Sequence, residues 1–259
     1  MPEADHLIVE YPAPSVLLLR LNRPQRRNAL SSALVIDLAR RLDDAASSGD
    51  ISVVILTGDD KAFSAGADIH EMNERGLAAI LDENRRSAWR SLEAFPKPLI
   101  AAVRGVAFGA GNELAMLADL VVAGENARFA QPEVKIGGLA GDGGTQRLPR
   151  LVGRQQAAKM LLTGEAVDGR EAKAIGLACE VVGDDQVVPR AIELAAQIAR
   201  NAPLSLLATK ALIGEADRGG LEEGLGSERK ALLKVFDSVD RQEGMAAFAE
   251  KRPARWQGR

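Results

Sequence analysis

The stretch Lys97–Ala123, KPLIAAVRGVAFGAGNELAMLADLVVA, decides the fold class. Leu99–Val103 is a short apolar run entered through Pro98, the pattern of a strand buried on both faces. The glycine-bearing segment Gly105–Gly111 leads into a helix over Asn112–Leu117, and Leu120–Ala123 returns to a strand. Strand, glycine turn, helix and strand in such quick succession predict an α/β protein.

The same alternation continues toward the N-terminus. Leu7–Glu10 and Val16–Leu21 read as two strands separated by Pro12 and Pro14. Leu30, Leu34, Leu38 and Leu42 recur every fourth residue with charges between them, which predicts an amphipathic helix capped near Ser31 or Ser32. Ile51–Leu56 is a further buried strand. Trp89, Leu92 and Phe95 lie at helical spacing, and Pro96 and Pro98 stop that helix. Toward the C-terminus the pattern changes. From Gly143 the chain is mainly helical, over Gln155–Leu162, Gly169–Ala174, Val188–Arg200, Pro203–Glu215, Leu221–Phe236 and Arg241–Lys251, with one strand at Ala178–Val182. The best boundary lies between residues 1–200 and residues 201–259.

Composition excludes several chemistries. In 259 residues there are two His, one Cys and nine aromatics (six Phe, two Trp, one Tyr), with 33 Lys+Arg against 36 Asp+Glu. A structural zinc site needs about four Cys or His ligands, so no metal is expected. One Cys forms no intramolecular disulfide, and Cys179 in an apolar strand reads as core rather than nucleophile. A net charge of -3 with few aromatics argues against binding nucleic acid. The acidic, proline-broken N-terminus has no signal-peptide pattern, and no apolar run approaches the ~18 residues of a membrane span. The expectation is a cytoplasmic protein that does not enter membranes.

The familiar catalytic motifs are missing. There is no G-x-S-x-G elbow, no phosphate-binding P-loop and no complete G-x-G-x-x-G turn. His70-Glu71-Met72-Asn73-Glu74 lacks the second His of a zinc helix. What remains is a set of glycine turns and acids: Ala65-Gly66-Ala67-Asp68, Gly109-Ala110-Gly111-Asn112-Glu113, Gln131-Pro132-Glu133 and Gly141-Asp142-Gly143-Gly144. Taken singly, such glycines serve tight turns and such glutamates serve salt bridges or helix starts. Taken together, two turns could present backbone N–H groups to an oxyanion, and two carboxylates in one cleft would suit acid/base work near neutral pH.

These motifs, in this order and spacing, resemble the enoyl-CoA hydratase/isomerase (crotonase) family. The likeness runs from LNRPQRRNAL through LTGDDKAFSAGADIHEM, KPLIAAVRGVAFGAGNELAMLADLVVAGENARFAQPEVKIGG, GDGGTQRLPRLVG and LLTGEAVDGREAKAIGL to EGMAAFAEKR. It implies a crotonase-type spiral of ββα units followed by a C-terminal helical trimerisation region, assembled as a homotrimer or a homohexamer. It implies an acyl-CoA thioester substrate and no cofactor, coenzyme A being part of the substrate. Carried over by position, Ala67 and Ala110 would supply the oxyanion-hole N–H groups. The family often has Gly where this chain has Ala110. Glu113 would orient and deprotonate a water, Glu133 would deliver a proton to the α-carbon, and Gly141 would pack beside that water. Ala65, Asp68, Ile69 and His70 would line the substrate, while Arg26, Arg27 and Lys61, with Arg23 nearby, suit the phosphates of coenzyme A. Phe248 and Lys251 would reach the coenzyme A of a neighbouring subunit.

One position departs from the hydratase pattern. Asp142 stands where many hydratases carry a small residue, and dienoyl-CoA isomerases of the family place a catalytic Asp in this loop. Those isomerases have Asp in place of Glu113, and enoyl isomerases generally keep only the acid at 133, so the pair Glu113/Glu133 favours hydration. Asp142 is expected to be a loop residue bonding nearby backbone N–H groups. Residues 82–95 and the C-terminus also resemble hydratases of phenylacetate breakdown.

Overall fold

The structure, a computed structural model, describes residues 6–259; the first five residues of the N-terminal segment lie outside it. The chain opens with a hairpin, β1 (Leu7–Ala13) and β2 (Val16–Leu21), whose strands pair antiparallel. β1 runs on through Pro12, which was expected to end it. It is an edge strand, and its register shifts between Glu10 and Ala13, so the missing proline N–H breaks no ladder. Helix α1 (Ser32–Ser47) follows, with the Ser31 hydroxyl accepting from Leu34 N at 3.3 Å.

Three times the chain then lays a long strand in one sheet and a short strand in a second. β3 (Val53–Thr57) is followed by β4 (Ala62–Ser64) and by helices α2 (Ile69–Arg75), α3 (Leu77–Ile80) and α4 (Glu83–Glu93). β5 (Leu99–Val103) is followed by β6 (Val106–Phe108) and helix α5 (Ala110–Ala115). β7 (Leu120–Gly124) is followed by β8 (Arg128–Ala130), a 3-10 turn at Glu133–Ile136 and helix α6 (Gly144–Thr163). This is the ββα spiral. Then come β9 (Val167–Asp168), α7 (Gly169–Ala174), β10 (Glu180–Val182) and α8 (Val187–Ala199). The six-stranded sheet has the order β1-β2-β3-β5-β7-β10, parallel from β2 onward, and the four-stranded sheet has the order β4-β6-β8-β9.

The large sheet is covered on both faces, as alternation along its strands requires. Leu17, Leu19, Val54, Leu56, Leu99 and Ala101 face a core completed by Leu34, Leu38 and Leu42 of α1, by Trp89 and Leu92 of α4, and by Phe63 and Phe129. Val16, Leu18, Val53, Ile55, Ile100 and Val122 face the other way, against Val187, Ala191 and Ala195 of α8.

Helix α6 is longer than the predicted Gln155–Leu162. Gly153, at φ 76° and ψ 159°, bends it into two pieces, and Pro149 lies in the first of them. The last helices are α9 (Pro203–Ala216), α10 (Leu221–Phe236) and α11 (Val239–Ala249); α9 and α10 bury none of their residues. Among the described residues no helix is long and apolar enough to cross a membrane, and no group of His, Cys, Asp and Glu is arranged to hold a metal. Cys179 is half-buried just before β10 and donates to Val121 O at 3.2 Å, and burial pushes its thiol up, away from the nucleophilic thiolate.

Candidate active site

The short strands exist to end in turns, and those turns surround one cavity of about 770 Å³. After β4 the chain passes through Ala65-Gly66-Ala67. Leu30 N donates to Gly66 O at 2.7 Å and Asp68 N donates to Leu30 O at 3.3 Å. In this parallel bridge the groups flanking Ala67 face Leu30, so the N–H of Ala67 itself turns to the opposite side. Gly66 has φ +108°, and a Cβ there would stand 2.8 Å from Phe108 O and 3.7 Å from Ala110 N. Only glycine lets these two turns approach so closely.

After β6, Gly109 adopts φ 52° and ψ −127° and opens α5. Ala110, as first residue of that helix, has an N–H with no intrahelical acceptor. Ala67 and Ala110 both line the cavity.

Glu113, on the first turn of α5, is only 2% exposed. Its Oε1 accepts from Asp142 N at 2.9 Å and from Gly144 N at 2.6 Å. A Cβ on Gly144 would collide with the Gln131 side-chain amide and stand 2.9 Å from Ala140 Cβ and 3.0 Å from that oxygen, so only glycine fits here. Burial pushes the Glu113 carboxyl up to about 7; the Gly144 amide opposes the rise, and the carboxylates of Asp142 and Glu133 add to it. Glu133 enters from the 3-10 turn after β8. Its Oε1 would lie 3.0 Å from a Cβ on Gly109, and its Oε2 is buried with no hydrogen-bond partner. Burial raises its pKa as well, with Asp142 adding to the effect. A buried acid and a half-buried one, both of raised pKa and the second with an unsatisfied oxygen, line the same cavity as two unpaired amides. Such a site can bind a carbonyl oxygen and exchange protons beside it.

Asp68 belongs to the cavity wall but is occupied. It caps α2 through Glu71 N, and Arg23 Nη2 donates to it at 2.9 Å. Burial alone would raise its pKa; the Arg23 hydrogen bond and the backbone amides overcome this and hold it below the usual range. Arg23 is thereby removed from the basic cluster. Ala65, Ile69 and Gly141 line the cavity, whereas His70, Arg26, Arg27, Lys61, Phe248 and Lys251 do not. Arg26, Arg27, Lys61 and His70 are exposed, and Arg27 O accepts from Ala65 N at 2.9 Å, next to the first turn. Phe248 and Lys251 sit on and after α11, both exposed.

The expectation for Asp142 needs correction. Its side chain bonds no backbone N–H. Arg85 grips it through Nη1–Oδ1 at 3.2 Å and Nη2–Oδ2 at 2.7 Å, because α4 runs directly past the loop. Trp89 Nε1 donates to Asp142 O at 3.1 Å, so this tryptophan, read from sequence only as core, also touches the site. The signal was present in the spacing of Arg85 and Trp89, which share one helical face.

Residues 13–259 match the family described as enoyl-CoA hydratase/isomerase. The chain is 47% identical over 244 residues to the 2,3-dehydroadipyl-CoA hydratase of Escherichia coli K12, covering 94% of this chain and 96% of that protein. It is 42% identical over 240 residues to the mitochondrial enoyl-CoA hydratase of Pongo abelii, covering 93% and 83% respectively. The crystal structure of the Bacillus anthracis enoyl-CoA hydratase superimposes with a TM-score of 0.93 at 37% identity, over 98% of this chain and 100% of that one.

Proposed function

The chain belongs to the enoyl-CoA hydratase/isomerase family as one of its hydro-lyases, and we propose that it adds water reversibly to a trans-2-enoyl-CoA, giving a 3-hydroxyacyl-CoA. The observation that carries this reading is the convergence of Glu113 and Glu133 on the cavity that Ala67 and Ala110 line. In the forward direction the thioester oxygen lies between the two N–H groups. Glu113 takes a proton from a water whose oxygen bonds to the β-carbon. The electron pair of the double bond moves toward the carbonyl, giving an enolate that the amides stabilise. Glu133 then places a proton on the α-carbon. One water is consumed and no electrons are exchanged, so the step needs no redox group.

Isomerisation is disfavoured by the Arg85–Asp142 pair, since the acid that could serve as an isomerase base is held bidentate by a guanidinium. The likeness to the 2,3-dehydroadipyl-CoA hydratase of Escherichia coli K12 supports an acyl group ending in a carboxylate. Arg26, Arg27 and Lys61 are assigned to the phosphates of coenzyme A. Phe248 and Lys251 would complete that site across the interface of a cytoplasmic homotrimer or homohexamer.

The test is loss of the conjugated-enoyl absorbance of crotonyl-CoA and of 2,3-dehydroadipyl-CoA. Turnover of both is expected, with the higher kcat/KM for the dicarboxylic substrate. Glu113→Gln and Glu133→Gln should each lower kcat by about 10²-fold or more. Near-wild-type rates in both variants would overturn the assignment.

A further inference from the structure

Every polar group of Asp142 is occupied. Its N–H donates to Glu113, its carbonyl accepts from Trp89 Nε1 at 3.1 Å and from Arg147 Nη1 at 3.0 Å, and its carboxylate is forked by Arg85. The residue lies between Gly141 and Gly143, in a segment whose glycines give it wide conformational freedom. Left unclamped, such a loop would not hold two amides on one carboxylate oxygen. The clamp comes from one face of α4: Arg85, Trp89 and Glu93 follow each other at four-residue steps, and Glu93 accepts from Arg147 Nη2 at 2.8 Å.

We propose that Arg85 is a positioning residue for the hydration step. By pairing with Asp142 it fixes the loop that presents two amides to Glu113, and it cancels a negative charge that would otherwise stand beside both acids.

This inference rests on the hydratase reading of the site. Charge balance supports it. Besides the two acids, the other charged groups facing the cavity are largely engaged elsewhere. From the α2 segment Asp68 pairs with Arg23 and Glu71 with Arg75. On α4, Arg86 and Arg90 pair with Glu83. On α6, Arg147 pairs with Glu93, and Lys135 stands two residues from Glu133. The Asp142 carboxylate acts on Glu113 and on Glu133 alike, in the direction that keeps both protonated. Arg85 is the cation bonded to it, and a planar fork holds a carboxylate in a way that lysine does not reproduce.

The experiment uses full-length Arg85→Met, Asp142→Asn and the double variant. Two readouts are followed from pH 5 to 9: kcat and KM for crotonyl-CoA, and the carboxyl 13C resonance of Glu113, assigned by its loss in Glu113→Gln. In Arg85→Met the ionisation of Glu113 should move up by about one pH unit, with kcat falling roughly tenfold at neutral pH and KM little changed. In Asp142→Asn it should move down. In the double variant, which restores neutrality, it should return close to the wild-type value. Arg85→Lys should restore the ionisation but not kcat. Shifts in the same direction for the two single variants, or no shift in either, would overturn the proposal. If wild-type protein fails to hydrate crotonyl-CoA, the hydratase reading falls, while the resonance still judges the pairing.

Discussion

Glu113 carries both of its amide hydrogen bonds on one oxygen, and the surrounding burial makes its ionised form expensive. The sign is fixed by the direction of the shift. A carboxyl raised from an ordinary value near 4.5 to about 7 opposes folding once it ionises. The penalty is absent below the unfolded value, grows between about pH 4.5 and 7 and is constant above. Glu113→Gln should therefore stabilise the protein at pH 8 by at most about 3 kcal/mol, and the gain should vanish at pH 4. Urea unfolding at the two pH values checks this; a variant equally stable or weaker at pH 8 would contradict it. At this scale Ala67, Ala110 and Glu113 stand out in the sequence beside Gly66, Gly109 and Gly111, while Glu133, after Pro132, owes its assignment to the resemblance. The partner of Asp142 was not legible, since Arg85 lies 57 residues away in the chain and only the packing of α4 brings it near.

At the scale of elements, the long strands announced themselves and the short ones did not. β4, β6 and β8 are three residues each, too short for any alternation to emerge, yet they aim the turns that make the site. Their register is inherited from the large sheet, whose alignment depends on fixed strand entries. Lys97 is one such fixture. Its Nζ donates to the carbonyls of Ala45, Ser48 and Ile51 at 2.7, 2.6 and 2.8 Å, tying the end of α1 and the approach to β3 to the start of β5. A cation at a helix C-terminus is favourable in itself, and removing it orphans three partly buried acceptors. Lys97→Met should cost about 2–3 kcal/mol in chemical denaturation while leaving KM for crotonyl-CoA near wild type. A loss below about 0.5 kcal/mol would show that water replaces the ammonium.

For the molecule as a whole, the two faces of the large sheet account for nearly all of the buried core. The C-terminal helices add little to it. On α10, Leu221 is 81% exposed, and Leu225, Leu232, Leu233 and Phe236 are exposed beside it. An apolar surface of this kind on a single chain marks an interaction face. If it is the trimer interface, Leu225→Glu with Phe236→Glu should shift the sedimenting species from trimer to single chains. It should also raise KM more than it lowers kcat, because Phe248 and Lys251 would no longer reach a neighbour's coenzyme A. Unchanged sedimentation would show that this face holds no chains together. The change from alternating to helical grammar was legible in the sequence; which face of each helix stays uncovered came only with the packing.

The chain has two tryptophans, and the fold has sent them to opposite duties. Trp89 donates its indole proton to the loop beside Glu113, and Trp256 donates its own to Arg200 O at 2.7 Å, close to where the chain ends. The protein is in effect supplied with two optical reporters that do not overlap. In Trp256→Phe the remaining emission should respond to acyl-CoA entering the cavity and stay blind to dilution. In Trp89→Phe it should follow the tail and the C-terminal helices, and a change on dilution would report any assembly these helices make. Occupancy and assembly could then be watched independently in the same buffer, without any attached dye.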